Sequence, residues 1–126
     1  MRKLIFLFFI ISKSFSGDLS FFVETSDNLN QIIEKNSSES IPIQMVSPEE
    51  PKIIKVQTNG NFKLIYFYAG SAGTYRLVRH EKVAVFDMKK NKFLEKTYIT
   101  KLDGLDKEAQ PTFNIKNGKI IYHLPK

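Results

Sequence analysis

The chain has 126 residues, a formal net charge of +6 and no cysteine. Without cysteine it has no disulfides, thiolate metal sites, thiol nucleophiles or thiol redox chemistry. Its length allows one domain with a modest apolar core.

The chain opens with Met1-Arg2-Lys3 and then Leu4–Ile11, eight uninterrupted apolar residues. The small, polar stretch Ser12-Lys13-Ser14-Phe15-Ser16-Gly17 follows. A positive start, a short apolar run and a small-residue site predict a secretory signal over 1–16, cleaved before Gly17. Spanning a bilayer takes about 20 apolar residues. Lys13 interrupts the run well before that, so cleavage is expected rather than retention as an anchor. With no cysteine after the apolar run, a lipid-modified N-terminus is excluded. The expected product is one β-rich domain over 17–126, periplasmic or secreted, with no stable membrane insertion.

Loss of Arg2, Lys3 and Lys13 leaves 16 basic against 13 acidic residues, a net of +3. The charge is unevenly placed. Residues 18–50 hold seven acidic residues and one Lys, whereas 51–126 hold fifteen basic and six acidic residues. Such asymmetry marks either a polyanion-binding face or two parts that attract one another in the fold. The chain carries no recognisable nucleic-acid-binding motif, and with an export signal no nucleic-acid partner is expected.

In chain order, residues 18–24 predict a first strand. Ser26-Asp27 offers N-cap chemistry, and Leu29, Ile32 and Ile33 fall at i, i+3 and i+4, which predicts a short helix through about Lys35. Residues 37–51 contain Pro42, Pro48 and Pro51 and read as a loop or arm. Ile53 to Gln57 predicts a strand, with Asn59-Gly60 as a two-residue turn. Phe62 to Ala69 is almost wholly apolar and predicts the central strand, buried on both faces. Gly70 to Tyr75 reads as a small-residue loop. Leu77-Val78 begins a further strand, and Lys82 to Asp87 forms one. After the turn Lys89-Lys90-Asn91-Lys92, Phe93 to Thr100 is its antiparallel partner. Residues 101–110 read as a charged loop, and 112–123 as a hairpin around Asn117-Gly118. The expected fold is mainly β (α+β), an antiparallel meander of six to seven strands with one short N-terminal helix.

No converging catalytic set is legible, and the chain reads as a non-enzyme without cofactor. His80 and His123 are the only histidines. Neither has a metal-ligand spacing around it. Asp103, Asp106 and Glu108 cluster without the ligand alternation of a calcium loop. Gly70-Ser71-Ala72-Gly73 follows a strand as phosphate loops do, but no Lys-Ser/Thr ends it.

The most unusual stretch is Ala69 to Tyr75. Gly70 and Gly73 permit backbone angles that other residues avoid. Ser71 and Thr74 carry hydroxyls, Tyr75 a large amphipathic ring of the kind that anchors interfaces, and Arg76 a charge beside it. These six residues are the candidate contacts to a protein partner.

From Asn59 onward the chain resembles the periplasmic inhibitors of invertebrate-type lysozyme. The resemblance is carried by Leu64-Ile65-Tyr66-Phe67-Tyr68-Ala69-Gly70-Ser71, Tyr75, Val83 to Lys92, and Phe113 to Ile121. It implies insertion of the 70–75 loop into a hydrolase cleft, with Ser71 and Tyr75 as inhibitory contacts. Two other readings suit an exported, cysteine-free β domain: an immunity protein that neutralises a delivered toxin, and an envelope protein with a basic binding face.

Overall fold

The computed structural model describes residues 20–27 and 29–125. The expected signal over 1–16 and the start of the first expected strand lie outside the described residues.

Nine strands form three antiparallel sheets. The largest is a meander of β4 (Lys52–Asn59), β5 (Phe62–Ala72), β6 (Val78–Asp87) and β7 (Lys92–Asp103). A three-stranded sheet, β1 (Phe21–Ser26), β2 (Leu29–Glu34) and β3 (Ser40–Pro42), covers one face. The hairpin of β8 (Thr112–Lys116) and β9 (Lys119–His123) covers the other.

Period-2 alternation along β5 explains this layering. Ile65, Phe67 and Ala69 enter one core with Phe21, Ile32, Ile41, Ile43, Ala84, Phe86 and Phe93. Leu64 and its neighbour Tyr66 enter a second core with Val83, Val85, Ile115, Phe113 and Ile120. The central strand is thus buried on both faces, which is why its sequence is continuously apolar. In the first core Phe21, Phe86 and Phe93 meet edge to face, with centroids 5.0–6.0 Å apart. In the second, Tyr98 packs on Phe113 and Tyr122 at 5.3 and 5.1 Å.

The turns follow their residues. Asn59 pairs with Phe62, so the β4–β5 connection is Gly60-Asn61, with Gly60 at φ +60°. This is one residue later than the expected Asn59-Gly60. Asn117 and Gly118 both have positive φ, as a type I′ turn requires. Asp87 is buried and caps its own turn, where its Oδ1 accepts from the N–H of Lys89 and Lys90 at 2.9 and 3.2 Å.

Four expectations need correction. Residues 29–34 form strand β2, paired with β1 from Ser26↔Leu29 to Phe21↔Glu34, not a helix. Alternate positions of β2, Ile32 and Glu34, are buried, and Glu34 Oε1 accepts from Ser37 N–H at 2.7 Å. The 37–51 arm includes the short strand β3. Residues Lys101 to Asp103 belong to β7 rather than to a loop, and a short 3-10 turn, Lys107–Ala109, follows. The described residues hold nine strands rather than six or seven.

Candidate functional site

The β5–β6 connection is narrower than the expected 70–75 loop. Gly70, Ser71 and Ala72 lie within β5, where Ser71 pairs with Arg79 and Ala72 with Val78. Only residues 73–77 form the free tip.

A bulge separates the tip from the flat sheet. Between Tyr68↔Glu81 and Ser71↔Arg79, β5 carries one residue more than β6. Gly70 lies in the bulge at φ +101°. A Cβ there would sit 2.5 Å from Ser47 Oγ, so glycine is required for the close approach as well as for the angle. Gly73, at φ +140°, begins the tip, and a Cβ on it would lie 2.1 Å from the Arg76 carbonyl oxygen.

Beyond Lys52 the outer edge of β5 is taken up by the arm 46–50. Val46 N–H donates to Ala69 O at 2.9 Å, and Ser71 N–H to Ser47 Oγ at 3.1 Å. Ser47 Oγ donates to Glu49 Oε2 at 2.8 Å, and Tyr68 donates to Glu49 Oε1 at 2.7 Å. Since the single Tyr68 proton is directed to Glu49, Ser71 Oγ is the donor in its 3.0 Å contact with the Tyr68 oxygen. The hydrogen bonds from Tyr68 and Ser47 hold the Glu49 carboxyl below its ordinary pKa. Arg79 stacks over the Tyr68 ring at 4.3 Å and pairs with Glu81 at 3.2 Å. An open groove of about 640 Å³, lined by Glu49, Lys52, Ile54, Tyr68 and Arg79, lies at the base of the tip.

The expected contact residues therefore divide into two groups. Gly70 is buried and Ser71 half-buried in this network. Gly73, Thr74, Tyr75 and Arg76 are exposed. Tyr75 is fully exposed at 101%, and Leu77 follows at 69%. Beside the tip, Gly104 passes beneath Leu77 (a Cβ there would lie 3.2 Å from Leu77 O). Gln110 holds this second loop closed: its amide accepts from Leu102 N–H at 2.9 Å and donates to Leu102 O and Leu105 O at 2.7 and 3.2 Å. Leu105 is exposed there.

Leu77, Leu105 and the Ser47–Glu49 arm were not among the expected site residues. The apolar Leu77 next to an aromatic loop was the one legible signal. The arm's role depends on pairing across more than twenty residues, which no local pattern carries.

His80 lies on β6, half-buried, and burial and then Lys82 lower its pKa. Its Nδ1 has no hydrogen-bond partner. His123 ends β9, exposed. Asp103 pairs with Lys101 at 3.5 Å, and Asp106 and Glu108 are exposed. Among the described residues no three His, Asp or Glu side chains gather as metal ligands, and no helix is long and apolar enough to cross a membrane.

No protein-family model matches the chain, and no curated protein or solved structure matches it significantly.

Proposed function

We propose that this is an exported protein-binding module that blocks the cleft of a cell-wall hydrolase of the lysozyme type with its β5–β6 tip. The observation that carries the reading is Tyr75, a fully exposed aromatic residue at the apex of a short tip. An isolated domain gains nothing from leaving such a ring in water. In a partner's pocket the ring buries a large apolar area at low entropic cost.

The base of the tip supports the same reading. The Gly70 bulge and the Ser47–Glu49–Tyr68–Ser71 network fix the direction of the β-ladder that carries it. A rigid projection loses little freedom on docking. Thr74 and Arg76 flank Tyr75 and supply polar contacts around the buried ring. Ser71 acts in this reading as a support for the tip and not as its leading contact.

The test is lysis of peptidoglycan-bearing cells by a panel of lysozyme types, with and without the protein. Suppression of lysis by at least one type is expected. Full lysis by every type at micromolar protein overturns the reading.

A further inference from the structure

The end of the molecule opposite the tip carries a separate feature. Three turns meet there. Met88 N–H donates to Asn61 O at 2.8 Å, and Asn59 Nδ2 donates to Ile115 O at 3.5 Å. The Gly60-Asn61 turn thus sits between the 88–91 turn and the Asn117-Gly118 turn. Lys89, Lys90, Lys92, Lys116 and Lys119 project from this cluster, and all five are exposed. None of them has an ion-pair partner among the described residues.

Carboxylates at this end offset the charge only in part. Asp87 and Glu34 are buried, and each accepts hydrogen bonds from the backbone of its own turn. Glu39 and Glu95 are the exposed ones nearby. The tip end is different. Arg76, Arg79, Lys52, Lys101 and Lys107 lie there, interspersed with Glu49, Glu50, Glu81, Asp103, Asp106 and Glu108. The surplus positive charge of the second half of the chain therefore collects at the turn end.

We infer that this lysine-bearing end adsorbs to an anionic lipid surface. Three observations select a lipid surface over other anions. The charges are all lysines, flexible point charges without the planar fork that fixes a single phosphate or a base edge. The exposed Phe22 stands on β1, and the lysine-bearing turns themselves carry no exposed aromatic to stack on bases. Met88, an exposed apolar side chain, sits directly before Lys89-Lys90, an arrangement suited to headgroup contact with shallow apolar burial. Adsorption by this end leaves the tip pointing away from the membrane. The inference does not depend on what the tip binds.

The experiment is co-sedimentation of the full chain with vesicles of phosphatidylcholine alone or mixed three to one with phosphatidylglycerol. Arg2, Lys3 and Lys13 beside the apolar run also favour the anionic vesicles, and their contribution is common to every variant. Each lysine near an anionic surface contributes roughly fivefold to partitioning. Lys89→Gln/Lys90→Gln/Lys119→Gln is expected to lower the phosphatidylglycerol-dependent binding by about 100-fold. A charge-matched variant of the tip end, Lys52→Gln/Arg76→Gln/Lys107→Gln, is expected to retain most of it. Tyr75→Ala is expected to leave it unchanged. Equal binding to both vesicle types, or equal loss in the two triple variants, overturns the inference. Binding to heparin or DNA without binding to the anionic vesicles overturns it in favour of a polyanion.

Discussion

Gly73→Ala separates the geometry of the tip from its chemistry. At φ +140° an alanine is strained whatever the surrounding space, and a residue held in such a region costs about 1–3 kcal/mol. The added Cβ would also lie 2.1 Å from the Arg76 carbonyl oxygen, where real Cβ atoms essentially never come within 3.0 Å. That oxygen must retreat by about 0.9 Å, and Tyr75, the residue before it, moves with it. Gly118→Ala is the control, because Gly118 also has positive φ (+77°) but nothing lies within 4 Å of its Cβ position. It incurs only the backbone cost of about 1–2 kcal/mol. Gly73→Ala should therefore unfold at lower urea, by at least about 1 kcal/mol relative to Gly118→Ala, or roughly 4–8 °C in melting temperature. It should also lose tenfold or more in protection against lysis, while Gly118→Ala keeps full potency per folded molecule. Identical unfolding midpoints and identical potencies for the two variants would refute the reasoning.

Phe67→Ala empties a fully buried position of the central strand and should destabilise the fold by about 3–5 kcal/mol, read by urea denaturation. Tyr75→Ala should change stability by less than about 0.5 kcal/mol, because the ring touches solvent and not the core. The Glu49 network should depend on acid. With its folded pKa below the ordinary value, Glu49 contributes stability fully above that ordinary value, and the contribution is lost as pH falls through the lowered one. Protection of Ser71 N–H from hydrogen exchange, relative to the intrinsic rate at each pH, should fall over that acidic window, and Glu49→Gln should remove this pH dependence. Gln110→Ala should release the 102–110 loop, seen as faster exchange at Leu102 N–H, with the two cores intact.

The sequence carried the main sheet well and the N-terminal sheet poorly, for a physical reason. β5 is apolar at nearly every position because both its faces are buried, and Gly60 and Gly73 in its flanking turns adopt positive φ. In β2 the buried face includes the polar Glu34, while Leu29 and Ile33 on the other face are less buried. Alternation is thereby masked, and Leu29, Ile32 and Ile33 imitate a helical stripe. The site was legible in its apex and not in its base. Tyr75 stood out as a large ring among small residues. Gly70 and Ser71 read as loop because small residues have low strand propensity, yet they extend β5 through a bulge whose second side is the distant arm at Val46 and Ser47. Five of the lysines that raise the net charge of the second half, Lys89, Lys90, Lys92, Lys116 and Lys119, stand on or beside turns. Their gathering at one end depends on the antiparallel order of the strands and so is invisible in a linear reading.

The most direct test of the tip is Tyr75→Ala beside the unaltered protein in the lysis assay, with the urea midpoint of each measured in parallel. The account predicts equal midpoints, suppression of lysis by the unaltered protein, and at least a tenfold loss of potency in the variant. A variant that folds as well and protects as well as the unaltered protein would contradict it.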